Sequence, residues 1–140
     1  MAELSDAHIG QLLRDAFGRF EDELIAATPP FRGWELRPVH NHVLRHLERE
    51  GTRASVIAER SGLTRQAITM IVDELEEAGV VHREPDPDDG RAKRIVYTPA
   101  GMRAFDEGRK AIADIERRWK RELGAKRWRE LTAALGRLVD

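Results

Sequence analysis

Two stretches of this 140-residue chain carry side chains suited to reading nucleic-acid edges. The first is Thr64-Arg65-Gln66, followed by Thr69 and Met70. An arginine can fork onto guanine O6 and N7 and a glutamine onto adenine N6 and N7, while a threonine meets a phosphate or a thymine methyl. The second is the basic run Asp89-Gly90-Arg91-Ala92-Lys93-Arg94. Basic side chains on a thin loop suit a minor groove, whose narrow A·T tracts concentrate negative potential. Asp89, two residues before Arg91, is placed to hold that guanidinium in a forked pair and fix the loop.

Such groups act only if a helix end and a hairpin present them, and the surrounding pattern predicts both. A short helix near residues 54–60, with Val56, Ile57 and Ala58 inward, meets the turn Ser61-Gly62-Leu63. A longer helix runs from Thr64 to about Ala78 on an inner face of Ala67, Ile68, Ile71, Val72 and Leu75, and Gly79 closes it. Crossed helices need a small residue at the crossing, a turn residue tolerant of φ > 0, and a buried aliphatic in the second helix; Ala58, Gly62 and Ile68 fill those places. Residues 80–84 and 94–97 read as two strands, and the Pro- and Asp-rich segment 85–93 as their loop. The unit is a winged helix–turn–helix, whose second helix enters a major groove by its N-terminal part. The acidic run Asp73, Glu74, Glu76 and Glu77 falls later on that helix, where it faces solvent or neighbouring basic groups.

On either side lie amphipathic helices. Ile9, Leu12, Leu13, Ala16, Phe17, Phe20 and Leu24 form one stripe, with Ser5 as N-cap and Pro29-Pro30 as its end. A second helix starts at Pro38, turns Val39, Val43, Leu44 and Leu47 inward, and stops at Gly51. Thr98-Pro99 opens a long helix carrying Phe105, Ile112, Ile115 and Trp119; Gly124 breaks it, and Trp128, Leu131, Leu135 and Leu138 mark a last one. The expected order is ααααββαα, mainly α with a small β-hairpin wing. Residues 1–36 and 99–140 would be assembly arms around a binding domain at 37–98, all in one compact protomer.

Charge at first discourages this reading. With 24 basic and 25 acidic residues the net charge is −1 and the pI about 6.5, which argues against coating nucleic acid by bulk charge. The sum is uneven, however. Residues 1–36 hold three basic against seven acidic side chains, residues 37–98 ten against eleven, and residues 99–140 eleven against seven. An acidic first segment and a basic last one can pair within or between chains, or can simply be solvated helix faces. No cysteine is present, which excludes disulfides, thiolate metal sites and thiol switches. No long apolar run and no signal-like N-terminus occur, so a soluble cytoplasmic protein is expected.

The segment from Asp86 to Gly101, Asp86-Pro87-Asp88-Asp89-Gly90-Arg91-Ala92-Lys93-Arg94-Ile95-Val96-Tyr97-Thr98-Pro99-Ala100-Gly101, resembles the wing signature of MarR-type (multiple antibiotic resistance regulator) transcription factors: Asp-x-Arg, a strand, then Thr-x-x-Gly opening a helix. Leu75-Glu76-Glu77-Ala78-Gly79-Val80-Val81-His82-Arg83 is similar to that family's exit from its recognition helix, and the helix order matches over nearly the whole chain. Tyr97 stands where a Leu is more usual. The resemblance implies a homodimer joined through its first and last two helices, bound to a pseudo-palindromic operator. It further implies Arg91 as the minor-groove arginine, Asp89 as its partner, and most often repression relieved by a small effector. Independently, the terminal helices have only a small core to cover and leave apolar area for a second copy.

Other constellations are thinner. His42 and His46, one turn apart with His40 nearby, have the spacing of two metal ligands or of a titrating cluster, yet a metal needs further ligands from His8, Asp or Glu. Phe17, Phe31 and Trp34 can line a pocket where the resemblance implies an anionic aromatic or lipophilic effector, its carboxylate met by Arg32, Arg37 or His40; ordinary interhelical core is the alternative. Trp119 and Trp128 read as dimer packing. No glycine-rich phosphate loop or nucleophile arrangement is present, so neither an enzyme nor a cofactor is expected. The alternatives that stay open are a winged helix used to bind protein, and a metal-responsive regulator using the histidines.

Overall fold

The computed structural model describes residues 7–31 and 33–140. Its elements are α1 (Ile9–Ala27), α2 (Pro38–Leu44), β1 (Thr52–Arg53), α3 (Ala54–Ser61), α4 (Arg65–Glu77), β2 (Val81–Pro85), β3 (Lys93–Tyr97), α5 (Pro99–Leu123) and α6 (Ala125–Val139). They divide into two units: Thr28–Gly108, and α1 with Arg109–Asp140. The winged helix–turn–helix is present with one element beyond expectation. β1 pairs antiparallel with β3, Thr52 opposite Ile95 and Arg53 opposite Arg94, giving a three-stranded sheet in the order β1-β3-β2. Two residues are too few for an alternation to be read from sequence.

Within the 28–108 unit the core gathers from α2, α3, α4, β2 and β3, including Val43, Ile57, Ile68, Leu75, Val81 and Ile95. Gly62 takes φ +71° at the end of α3 and donates its N–H to Ala58 C=O at 3.1 Å, while Ile68 beneath the crossing is 2% exposed. These are the roles their types require. The Thr98 hydroxyl accepts the Gly101 N–H at 2.9 Å, capping α5, and donates to Gly79 C=O at 2.6 Å. A Cβ on Gly101 would lie 1.8 Å from the Val80 carbonyl oxygen. That close approach explains the glycine three residues after the cap. Tyr97 is buried against Phe105, ring centroids 5.3 Å apart, and burial raises its hydroxyl pKa.

Two boundaries differ from expectation. α2 stops at Leu44, not Gly51, because His46 and Leu47 donate back only three residues, to Val43 and Leu44, and the Thr52 hydroxyl takes the Glu48 N–H at 2.9 Å. Leu47 is buried all the same, whereas Val39, expected inward, is exposed. Ser5 lies outside the described residues; the first turn of α1 is held instead by His8, whose Nδ1 accepts the Gln11 N–H at 3.3 Å.

In the other unit, α1 meets α5 through charge. Arg19 donates to both Glu122 oxygens, at 3.0 and 2.6 Å, and to Glu23 at 3.2 Å. The Trp119 indole N–H donates to Glu23 at 2.8 Å, and its ring meets Phe20 edge-on at 6.1 Å. Trp119, expected in dimer packing, is therefore engaged within its own chain. So are charges of the acidic first and basic last segments. No described residue of α1 or α6 is buried, and Ile9, Leu12, Leu13, Phe17, Leu135 and Leu138 are exposed. No helix among the described residues is long and apolar enough to cross a membrane.

Candidate nucleic-acid interface

The N-terminal turn of α4 is exposed at Thr64, Arg65, Gln66, Thr69 and Met70. Thr64 is the N-cap, its hydroxyl accepting the Ala67 N–H at 3.1 Å, and the Thr69 hydroxyl donates to Arg65 C=O at 2.9 Å. Both hydroxyls thus serve the helix: Thr64 keeps its O–H and one lone pair to offer outward, Thr69 only its lone pairs. Arg65 and Gln66 have no side-chain partner among the described residues. The positive end of the α4 dipole lies at the same place.

Three of the four acids later on α4, Asp73, Glu74 and Glu76, are matched by cations. Arg83 of β2 reaches Asp73 at 2.6 Å, Glu76 at 3.1 Å and Thr69 C=O at 3.2 Å. Glu74 accepts from Arg37 Nη2 and from His40 Nε2, each at 2.7 Å. His40 Nδ1 accepts the Arg37 backbone N–H at 2.9 Å. That bond fixes the tautomer, so Nε2 carries the proton and donates to the carboxylate. The His40 hydrogen bond, helped by Arg37, holds Glu74 below the usual carboxylate range against desolvation.

The wing is organised differently from expectation. Asp89 accepts the backbone N–H of Arg91 at 3.1 Å, not its guanidinium; an aspartate folds readily onto the N–H two residues on, which takes up the carboxylate. The forked pair is instead Arg53 with Asp86, Nε to Oδ2 at 2.8 Å and Nη2 to Oδ1 at 3.1 Å. Asp86 is 6% exposed and also accepts the N–H groups of Asp88 and Asp89 at 2.8 and 3.2 Å. Arg53 first, then these amides, depress its pKa to about 2. Arg94 is tied across the hairpin to Glu84 at 3.0 Å. Arg91 and Lys93 are exposed, with no carboxylate on either among the described residues.

Sequence reasoning passed over Arg53, Asp86 and Arg83. Asp86 begins an Asp-Pro-Asp turn, a signal that was available; nothing local marks Arg53 as its partner, 33 positions away. Of the pocket residues, Phe31, Trp34, Arg37 and His40 lie in the 28–108 unit, Phe17 belongs to the other, and Arg32 lies outside the described residues. Trp34 packs against His40 with ring centroids 4.5 Å apart and the ring planes tilted by 52°. It also lines a groove of about 540 Å³ with Gly33, Glu74, Glu77, Ala78 and Gly79. His42 Nδ1 meets the Arg45 guanidinium at 2.7 Å, and burial, then Arg45, lowers the His46 pKa. No group of three or more His, Asp or Glu suited to a metal ion occurs among the described residues.

A model of the MarR family matches residues 35–92. CouR from Rhodococcus jostii RHA1, in a crystal structure bound to p-coumaroyl-CoA, is similar at 30% identity and TM-score 0.73, covering 96% of this chain and 93% of its own. A MarR-family transcriptional regulator from Rhodococcus sp. RHA1 is 29% identical at TM-score 0.73, over 96% and 94% of the two chains. The transcriptional repressor CouR bound to a 23-mer DNA duplex is 25% identical at TM-score 0.76, over 100% and 97%. No curated protein sequence matches the chain. The interface geometry, the family model and these relatives converge, and the chain belongs to the MarR family of transcriptional regulators.

Proposed function

We propose that this regulator is a cytoplasmic repressor that binds a pseudo-palindromic operator as a homodimer, with α4 in the major groove and the wing at the minor groove. Residues 37–98 are the DNA-binding part in this reading, and segments 1–36 and 99–140 assemble the dimer. The observation that carries it is where charge stays unpaired. Arg65 and Gln66 on the α4 tip, and Arg91 and Lys93 on the wing, keep their side chains uncommitted among the described residues. Meanwhile Arg83, Arg37 and His40 engage Asp73, Glu74 and Glu76 behind them. A net charge of −1 does not oppose such binding, because phosphates meet only the local cations.

The dimer is supported by the exposed apolar faces of α1 and α6, which a second copy would cover. The repressor CouR bound to a DNA duplex supports the operator. The relative bound to p-coumaroyl-CoA supports release by a small anionic aromatic or lipophilic effector. At Trp34 such an anion would compete with Glu74 for Arg37 and so touch α4.

Titrating the protein into a fluorescent A·T-flanked duplex at several salt concentrations tests the DNA reading. Affinity should fall linearly with log salt, by roughly 0.9 log units for each phosphate neutralised. Binding too weak to detect at low salt would instead favour a winged helix that recognises protein.

A further inference from the structure

An ion pair, Arg53 with Asp86, connects the wing tip to the helix–turn–helix, and that pair bears on how Arg91 acts. Arg53 occupies β1 and is also the N-cap residue of α3. Its guanidinium forks onto Asp86 at 2.8 and 3.1 Å. From Asp86 the hydrogen bonds run onward through the loop. Its carboxylate holds the N–H groups of Asp88 and Asp89, and its own N–H donates to Ala92 C=O at 2.9 Å. Asp89 then accepts the Arg91 N–H through its carboxylate and the Ala92 N–H through its carbonyl, at 3.1 and 3.0 Å. Every link from Arg53 to the Arg91 backbone is a hydrogen bond of ordinary length.

We propose that Arg53 and Asp86 are positioning residues for Arg91, fixing the wing tip relative to α3 and α4 so that both elements fit one DNA site together. The proposal rests on the reading that Arg91 contacts DNA. Asp86 is 6% exposed and its carboxylate is taken up by Arg53 and the loop amides, so it acts through the loop. A forked pair restricts direction as well as distance, which a lysine in place of Arg53 would not reproduce.

The sign of the effect separates positioning from bulk charge. Removing a negative charge near DNA strengthens binding by simple electrostatics. Asp86→Asn keeps an oxygen for the Asp88 and Asp89 amides but loses the ionic fork, so positioning requires it to weaken specific binding. The experiment uses the intact dimer and the duplex that the unmutated protein itself selects from a random pool. Asp86→Asn, Arg53→Lys, Arg91→Ala and the double variant Asp86→Asn/Arg91→Ala are compared by anisotropy, on that duplex and on a scrambled one. Dimer content and thermal unfolding are checked for each.

Arg91→Ala and Asp86→Asn are each expected to lose roughly tenfold on the selected duplex. Asp86→Asn should retain its affinity for the scrambled duplex, whereas Arg91→Ala, which removes a cation, weakens there as well. The double variant should bind no more weakly than Arg91→Ala alone, because Asp86 works through Arg91. The proposal is overturned if Asp86→Asn binds as tightly as the parent or tighter, or if its loss adds in full to that of Arg91→Ala. It is overturned equally if Asp86→Asn loses affinity for both duplexes alike, which marks a general loss of fold. A loss in Arg53→Lys with none in Asp86→Asn would make Arg53 a direct phosphate contact. An inert Arg91→Ala would remove the underlying reading of the wing, a result distinct from all of these.

Discussion

His40 has no solvent exposure, and its Nε2–H ends on the Glu74 carboxylate at 2.7 Å. This bond joins α2 to the later part of α4, the helix whose first turn carries the exposed Arg65 and Gln66. The same ring caps α2 through Nδ1 and packs at a tilt against Trp34. One imidazole therefore sets the start of one helix, the seat of another and the packing of Trp34. The histidine needs both nitrogens for this, which accounts for its complete burial as a hydrogen-bonded core group rather than a metal ligand.

Removing the ring should be costly. His40→Ala leaves a cavity beside Trp34, strips a donor from Glu74 and uncaps α2. A loss of about 2–4 kcal/mol in unfolding free energy is expected, measured by denaturant unfolding at fixed protein concentration. A loss below about 0.5 kcal/mol would mean that the contact does not hold the two helices.

Asp86 gives a pH dependence with a definite sign. Its folded pKa is depressed to about 2, below the ordinary aspartate value of about 4. A depressed carboxylate stabilises the fold above its unfolded pKa, and the contribution fades as pH falls between those two values. The thermal midpoint of Asp86→Asn should therefore lie below the parent's from pH 5 to 7, and the gap should close towards pH 2. A gap that stays constant across this range would contradict the assignment.

Gly101 provides a steric test. An alanine Cβ there would overlap the Val80 carbonyl oxygen at 1.8 Å, and both partners are backbone. Gly101→Ala should lose more than about 3 kcal/mol or fail to accumulate folded. Gly136→Ala in α6, where a Cβ meets nothing within 4 Å, is the control and should be neutral or slightly stabilising. Equal behaviour of the two variants would contradict the packing described.

What could be read from sequence follows the range of each signal. The Ala58, Gly62 and Ile68 spacing and the Thr98 cap are local patterns, and the structure has them where expected. Arg65, Gln66, Arg91 and Lys93 emerge exposed, with no side-chain partner for them among the described residues. Arg53 with Asp86, Arg83 with Asp73, and His40 with Glu74 stayed hidden, since each joins residues on different elements. The early end of α2 escaped notice for a similar reason: the competing partner of the Glu48 N–H is a hydroxyl beyond the turn. Arg94, a basic residue in the same basic run, is tied to Glu84 by strand register.

The exposed faces of α1 and α6 predict how the protein assembles. Leu12→Asp and Leu138→Asp each place a charge on an apolar side chain that a second copy would cover. Counted over two copies, either should weaken the dimer by roughly 3 kcal/mol or more, read by sedimentation equilibrium. Arg19, Glu23 and Glu122 are engaged within one chain, so Glu122→Gln should alter unfolding more than dimerisation. A dimer unchanged by both leucine substitutions would place the interface elsewhere.

The central claim is that a twofold dimer reads sequence with α4 and the wing. Selection of bound duplexes from a random pool by the purified protein, repeated with Gln66→Ala, tests it most directly. The account predicts an enriched pseudo-palindrome with half-site centres about one helical turn, roughly 10 base pairs, apart. It also predicts that Gln66→Ala relaxes preference at one position in each half-site while leaving the flanks intact. A pool that enriches no sequence, or an asymmetric single site unaffected by Gln66→Ala, would contradict it.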